Sequence, residues 1–318
     1  MIEPLAATPM PREQRTDSMA TPLFVGCAVA LVTPFRRDGI DEDCLAELVR
    51  FHLRERTDAL VVNGSTGEAA TMSPDEQRRV AEVAVSATGG QIPVIVGAGG
   101  ADTAAVSRLA RAARAAGADG LLLSPPPYSK PPQRGIVAHY RAVMDAADLP
   151  TIIYNIPGRT ACNILPETIE EIASDPRVVG VKEASGDIAQ IAELLRRVGD
   201  RLAVYSGNDD QVVPVMSLGG KGVISVLANI APADASRLAH SYLDGQLDAA
   251  RDLQLRYLPL IRTLFREANP IVVKAAVRAL GFNVGEVRLP LVPVSEEVRR
   301  ELLEQMRAAG LPVAEEGV

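Results

Sequence analysis

The chain predicts a closed (β/α)8 barrel, an α/β fold with a C-terminal helical extension. Three observations predict it. Short apolar runs alternate with amphipathic segments from Thr21 onward. There are eight such runs, which favours closure over an open doubly wound sheet. After about Gly245 the strand-like runs stop and only helical patterns follow.

The first 20 residues, MIEPLAATPMPREQRTDSMA, are polar and contain proline. They lack the apolar centre of a secretory signal and read as a disordered N-terminal extension, 1–20. The catalytic barrel is assigned to 21–245 and the helical region to 246–318. The expected strands are 25–31, 59–62, 94–96, 120–123, 152–154, 178–182, 202–206 and 222–225. Ser73-Pro74-Asp75-Glu76 spells a capping box with proline at the first helical position. The stretch 103–116 is rich in alanine and arginine, and Gly117 is placed to end it. Beyond the barrel, helices are expected near 246–267, 270–281 and 295–309. Asn269-Pro270-Ile271 reads as a helix start with Asn269 as its cap.

Composition excludes several classes. A net charge of −7 argues against a nucleic-acid footprint. No apolar run approaches the roughly 18 residues of a membrane span. Cys27, Cys44 and Cys162 cannot all pair and have no CxxC spacing, so a reduced, cytoplasmic chain is the simplest reading. His52, His139 and His240 fall on helical stretches without ligand spacing, which disfavours a metal site. No nicotinamide or flavin motif is present.

Barrel enzymes place their chemistry where strands end. Here the unusual residues sit there. Asn63-Gly64-Ser65-Thr66-Gly67-Glu68 follows strand 2, and Ser124 to Tyr128 follows strand 4. Tyr154 closes strand 5, Lys182 closes strand 6, and Ser206-Gly207-Asn208-Asp209 follows strand 7. Of 33 basic residues only four are lysines (130, 182, 221 and 274), the other 29 being arginines. A lysine closing an apolar strand is therefore a candidate nucleophile. Burial depresses an amine's pKa, and the neutral amine forms a Schiff base with a carbonyl. A guanidinium stays protonated and could not do this. The GSTGE turn offers two adjacent hydroxyls and backbone N–H groups suited to a carboxylate. Arg159 in YNIPGRT suits recognition of a second carboxylate. The SPPPYSKPP stretch reads by composition as a stiff polyproline-like segment, and as a long rim loop it could also carry Tyr128 outward, toward a neighbouring subunit.

Taken together, AVALVTPF, GSTGEAATM, IPVIVGAG, YSKPPQRG, YNIPGRT, GVKEASGD, YSGND, GGKGVISV and NPIVVKAA resemble the dihydrodipicolinate synthase and N-acetylneuraminate lyase family. These are Schiff-base lyases on a (β/α)8 barrel, and the resemblance runs from about Leu23 to Leu311. It implies a homotetramer acting on pyruvate and an aldehyde, without cofactor or metal. Lys182 becomes the Schiff-base lysine, and Tyr154, Ser65 and Tyr128 the proton relay, Tyr128 crossing a subunit interface. Thr66 takes the pyruvate carboxylate, Arg159 that of the aldehyde, and Ile224 and Gly186 line the substrate pocket.

Ser65 stands where members that join pyruvate to aspartate semialdehyde usually have threonine, and serine there is common in neuraminate lyases. Arg159 leans the other way, because sugar-acid lyases generally lack it. A charged partner discriminates substrates better than one methyl group, so the aspartate-semialdehyde reaction of lysine biosynthesis is the leading expectation. A lyase of 2-keto-3-deoxy sugar acids, N-acetylneuraminate or hydroxy-oxo-acids is the alternative. A non-catalytic barrel that binds a keto acid is a second. Lysine-sensitive members bind lysine through polar side chains at the dimer interface. The matching positions here are Ala69, Pro74, Ala101, Ala105 and Pro127, with Gln77 the main polar exception. The resemblance therefore implies insensitivity to lysine.

Overall fold

The structure is a computed structural model and describes residues 20–314. The expected disorder of 1–20 lies outside the described residues, except for Ala20. Eight parallel strands close into a barrel in sequence order. They are β1 (Gly26–Ala30), β2 (Ala59–Val62), β3 (Val94–Ala98), β4 (Gly120–Leu123), β5 (Thr151–Asn155), β6 (Val178–Glu183), β7 (Ala203–Ser206) and β8 (Gly222–Ser225). Closure is made by β1 against β8, with Ala28 opposite Ile224. A two-residue antiparallel pair, Phe35–Arg36 with Gly39–Ile40, follows β1.

The surrounding helices are α1 (Glu42–Arg54), α2 (Pro74–Thr88), α3 (Thr103–Ala115), α4 (Gln133–Ala147), α5 (Pro157–Thr160), α6 (Pro166–Ile172), α7 (Ile188–Val198), α8 (Val212–Ser217) and α9 (Pro232–Leu243). The predicted capping box opens α2: Ser73 Oγ accepts from the Glu76 N–H and Glu76 Oε2 from the Ser73 N–H. The three C-terminal helices are α10 (Leu247–Leu264), α11 (Ile271–Ala279) and α12 (Glu296–Ala308). No helix among the described residues is long and apolar enough to cross a membrane.

The strand period of two sorts side chains into two cores. Cys27, Val29, Leu60, Val62, Val94 and Val96 join the mantle between barrel and helices. Ala28, Ala30, Ala59, Val61, Ile95 and Ile224 fill the interior. Phe24 stacks on Tyr205 with ring centroids 4.3 Å apart, and the Tyr205 hydroxyl donates to the Phe24 carbonyl. The segment before β1 thereby plugs the lower end.

One irregularity decides where the chemistry points. Between β5 and β6, Thr151 pairs with Val178 but Ile152 pairs with Gly180. Val179 is an extra residue, a β-bulge. Val178 and Val181 face the mantle, whereas Val179 belongs to the interior cluster. Strict alternation from Val178 would have sent Lys182 outward. The bulge resets the phase, and Lys182 enters the barrel.

Candidate active site

Lys182 and Tyr154 are paired neighbours at the ends of β6 and β5. The Lys182 Nζ lies 4.4 Å from the centroid of the Tyr154 ring. Lys182 is 5% exposed, and burial lowers its pKa to about 8. The Asp209 carboxylate pulls it back up, and Arg159 adds to the lowering. Burial likewise raises the Tyr154 phenol to about 12, against the opposing effects of Arg159 and a hydrogen bond with Ser65. The mouth thus holds an amine that loses its proton readily and a phenol that keeps one.

Asp209 was legible only as part of the loop after β7. Its buried carboxylate accepts from the Ser225 hydroxyl at 2.5 Å and from the Val226 and Leu227 N–H groups at 2.9 and 3.0 Å. Burial raises its pKa, and those bonds and Lys182 oppose the rise. It is a fixed carboxylate whose charge acts on Lys182, and it ties the loop after β8 to the loop after β7. Gly207 matters by its absence of a side chain. A Cβ there would sit 2.6 Å from Ala184 Cβ and 3.2 Å from Lys182 Cε.

The structure brings Ser65 to Tyr154 and buries Ile224 in the interior cluster. Arg159 sits on the rim in α5, and its Nη2 donates to the Asn269 carbonyl at 2.7 Å. Gly186 is exposed, has φ +79° and its carbonyl accepts from Gln211 Nε2 at 3.1 Å. It shapes the turn into α7, while Gly207 is the glycine against the lysine. Tyr128 is 92% exposed, and its backbone N–H donates to the Thr160 carbonyl at 3.3 Å.

Two further residues were misread or missed. Asn269 is not a helix cap: Pro270 holds that position without a side-chain bond, and the Asn269 Nδ2 donates to Thr66 Oγ1 at 2.9 Å. The helix start was a sound local signal, but a partner 203 residues away claimed the amide. Glu68, the last residue of GSTGE, accepts from Lys274 Nζ at 2.7 Å. Their side chains are 0% and 2% exposed. The other Glu68 oxygen accepts from the Arg288 N–H, and Lys274 also donates to the Glu286 carbonyl. The Lys274 ammonium further rests 4.1 Å from the Phe35 ring centroid. With Thr33 Oγ1 donating to the Gly67 carbonyl, these contacts fix the Ser65–Thr66 turn over the mouth.

Among the described residues, no three His, Cys, Asp or Glu side chains are grouped to hold a metal. His52 and His139 bond to Thr57 and Thr103, and His240 to Asp58, on three separate helices.

The model of the dihydrodipicolinate synthetase family matches residues 23–309. A Thermoanaerobacter sp. (strain X514) protein named 4-hydroxy-tetrahydrodipicolinate synthase is 49% identical over 277 residues, 87% of this chain and 93% of the relative. The Caldicellulosiruptor saccharolyticus protein of the same name is 45% identical over 295 residues, covering 92% and 100%. The crystal structure of dihydrodipicolinate synthase from Aquifex aeolicus superposes with a TM-score of 0.90 at 40% identity, covering 92% and 100% of the two chains. The chain belongs to the dihydrodipicolinate synthetase family.

Proposed function

We propose that this chain is a class I lyase that joins pyruvate to L-aspartate 4-semialdehyde, giving 4-hydroxy-tetrahydrodipicolinate. The observation that carries the reading is Lys182, buried inside the barrel mouth against Tyr154. The name carried by relatives at 43–49% identity supports the same reaction.

The neutral Lys182 amine attacks the pyruvate ketone carbon, and loss of one water leaves an imine. Tyr154, through Ser65, passes the protons this requires. The imine then loses a methyl proton to become an enamine. The enamine carbon attacks the aldehyde carbon, and the new alkoxide takes a proton. Finally the amine of the second substrate adds to the imine carbon and expels the Lys182 amine as the ring closes. The Thr66 hydroxyl and the Ser65–Thr66 backbone bind the pyruvate carboxylate, and Arg159 binds that of the semialdehyde. Ile224 forms part of the wall.

The assembly we propose is a cytoplasmic homotetramer built from dimers, in which Tyr128 reaches the relay of a neighbouring subunit. Its exposure on a proline-stiffened loop supports this. Borohydride reduction in the presence of pyruvate tests the mechanism. One pyruvate-derived mass is expected on the peptide holding Lys182. A label on Lys130, Lys221 or Lys274, or none, refutes it. Product mass with aspartate semialdehyde, set against sugar aldehydes, decides the second substrate.

A further inference from the structure

Asn269 stands between the two groups that the proposed function assigns to substrate carboxylates. Its Nδ2 donates to Thr66 Oγ1 at 2.9 Å, and its backbone carbonyl accepts from Arg159 Nη2 at 2.7 Å. Asn269 and Thr66 are both buried. Asn269 Oδ1 has no hydrogen-bond partner among the described residues.

The direction of the first bond has chemical content. A hydroxyl has one proton to give. Because Thr66 Oγ1 accepts from the amide, its own O–H remains to be donated, and a carboxylate accepts only. With the amide turned over, the proton would be spent on Oδ1, and Thr66 would present a lone pair to an anion.

We propose that Asn269 is a positioning residue for pyruvate, whose amide N–H fixes the Thr66 hydroxyl as a donor toward the pyruvate carboxylate. The inference rests on the Schiff-base reading above. Asn269 touches no reacting atom and acts through Thr66. Its hold on Arg159 runs through the backbone carbonyl, which side-chain substitution leaves in place. The pyruvate and aldehyde halves of the reaction are therefore separable at this one residue.

The test uses Asn269→Asp, Asn269→Ala, Thr66→Val and the Thr66→Val/Asn269→Ala double variant, each checked for folding by its melting temperature. Aspartate keeps the shape but, when ionised, only accepts. It takes the Thr66 proton and sets a negative charge beside the pyruvate site. The pyruvate KM is expected to rise about tenfold or more in Asn269→Asp and less in Asn269→Ala, with the aldehyde KM changing less than about threefold. The ratio of pyruvate KM in Asn269→Asp to that in the unaltered enzyme should fall as pH drops, because the protonated carboxyl regains a donor. The double variant should be no worse than Thr66→Val alone, since both changes remove one interaction.

A pyruvate KM unchanged in folded Asn269→Ala overturns the proposal. So does an equal rise in both KM values, or full additivity in the double variant. If Asn269→Asp does not fold, the alanine variant and the double variant decide. If the unaltered enzyme gives no borohydride-trapped adduct, the Schiff-base reading falls. If it does, and trapping in Asn269→Ala has the same pyruvate dependence, only the positioning role falls.

Discussion

Replacing Lys182 with methionine is expected to abolish activity and make the protein more stable. Its folded-state pKa is about 8 against an ordinary 10.5, chiefly because the ammonium is desolvated. That difference equals about 3 kcal/mol of cost for holding the charged form in the fold near pH 7. Methionine fills similar space without the charge but gives up the contact with the Tyr154 ring, worth about 0.5–2 kcal/mol. The net expected gain is about 1–3 kcal/mol near pH 7. The pH dependence has a fixed sign. Between about 8 and 10.5 the folded lysine binds fewer protons than the unfolded one, so stability of the unaltered enzyme rises with pH there. Below that window the penalty is fully present. The gap between variant and unaltered enzyme should therefore be widest near neutrality and close as pH approaches 10.5. Urea midpoints at one protein concentration and without pyruvate, taken across this range, measure it. A variant less stable near neutrality, or a gap that ignores pH, would refute the burial argument. The same depression serves the chemistry: near pH 7 about 9% of such an amine is neutral, about 300-fold more than for an ordinary lysine.

Three other outcomes are expected. Arg159→Ala should leave pyruvate imine trapping intact while weakening condensation with aspartate semialdehyde about 10- to 150-fold, the worth of a charge-assisted contact; steady-state kinetics in each substrate reads this, and an unchanged aldehyde dependence contradicts the assignment. Mixing inactive Tyr128→Phe with inactive Lys182→Ala subunits should restore some activity, because one site of a mixed dimer keeps both residues; no recovery despite proven subunit exchange counts against a shared site. Free lysine at sub-millimolar concentration should leave the rate unchanged at saturating pyruvate. The main polar side chain matched to a lysine site, Gln77, already donates to the Ala69 carbonyl at 2.9 Å, and lysine's charges cost several kcal/mol to bury unpaired. A clear sub-millimolar titration would overturn that expectation.

What was legible in the sequence was local. The eight strands, the Ser73 capping box and the adjacency of Tyr154 to Lys182 follow from hydrophobic period, turn chemistry and strand order. The interior aim of Lys182 was not legible, because Val178 to Val181 is apolar throughout and carries no alternation to betray a phase change. Gly180 is the one hint, since an isolated glycine in a strand often marks a bulge. Asn269 was misread because a helix start and a long-range amide contact look alike in one dimension. Gly186 and Gly207 follow two consecutive strand ends, and only the packing of Gly207 on Lys182 separates them.

Glu68 leaves the ribosome 206 residues ahead of the lysine that neutralises it. A nascent chain long enough to contain all eight strands still lacks Lys274. Seating the Glu68 carboxylate in its dry pocket at that stage would strand a buried charge, at a cost of several kcal/mol. The Ser65–Thr66 turn therefore keeps its early bond from Thr33 to Gly67 but gains the Glu68 and Thr66 anchors only once the last quarter of the chain has arrived. A product that terminates early, near residue 245, would carry the nucleophile yet lack both Lys274 and the Asn269 contacts to Thr66 and Arg159. Synthesis thus has a built-in order: Lys182 comes first, and the contacts that anchor Glu68, Thr66 and Arg159 are completed last.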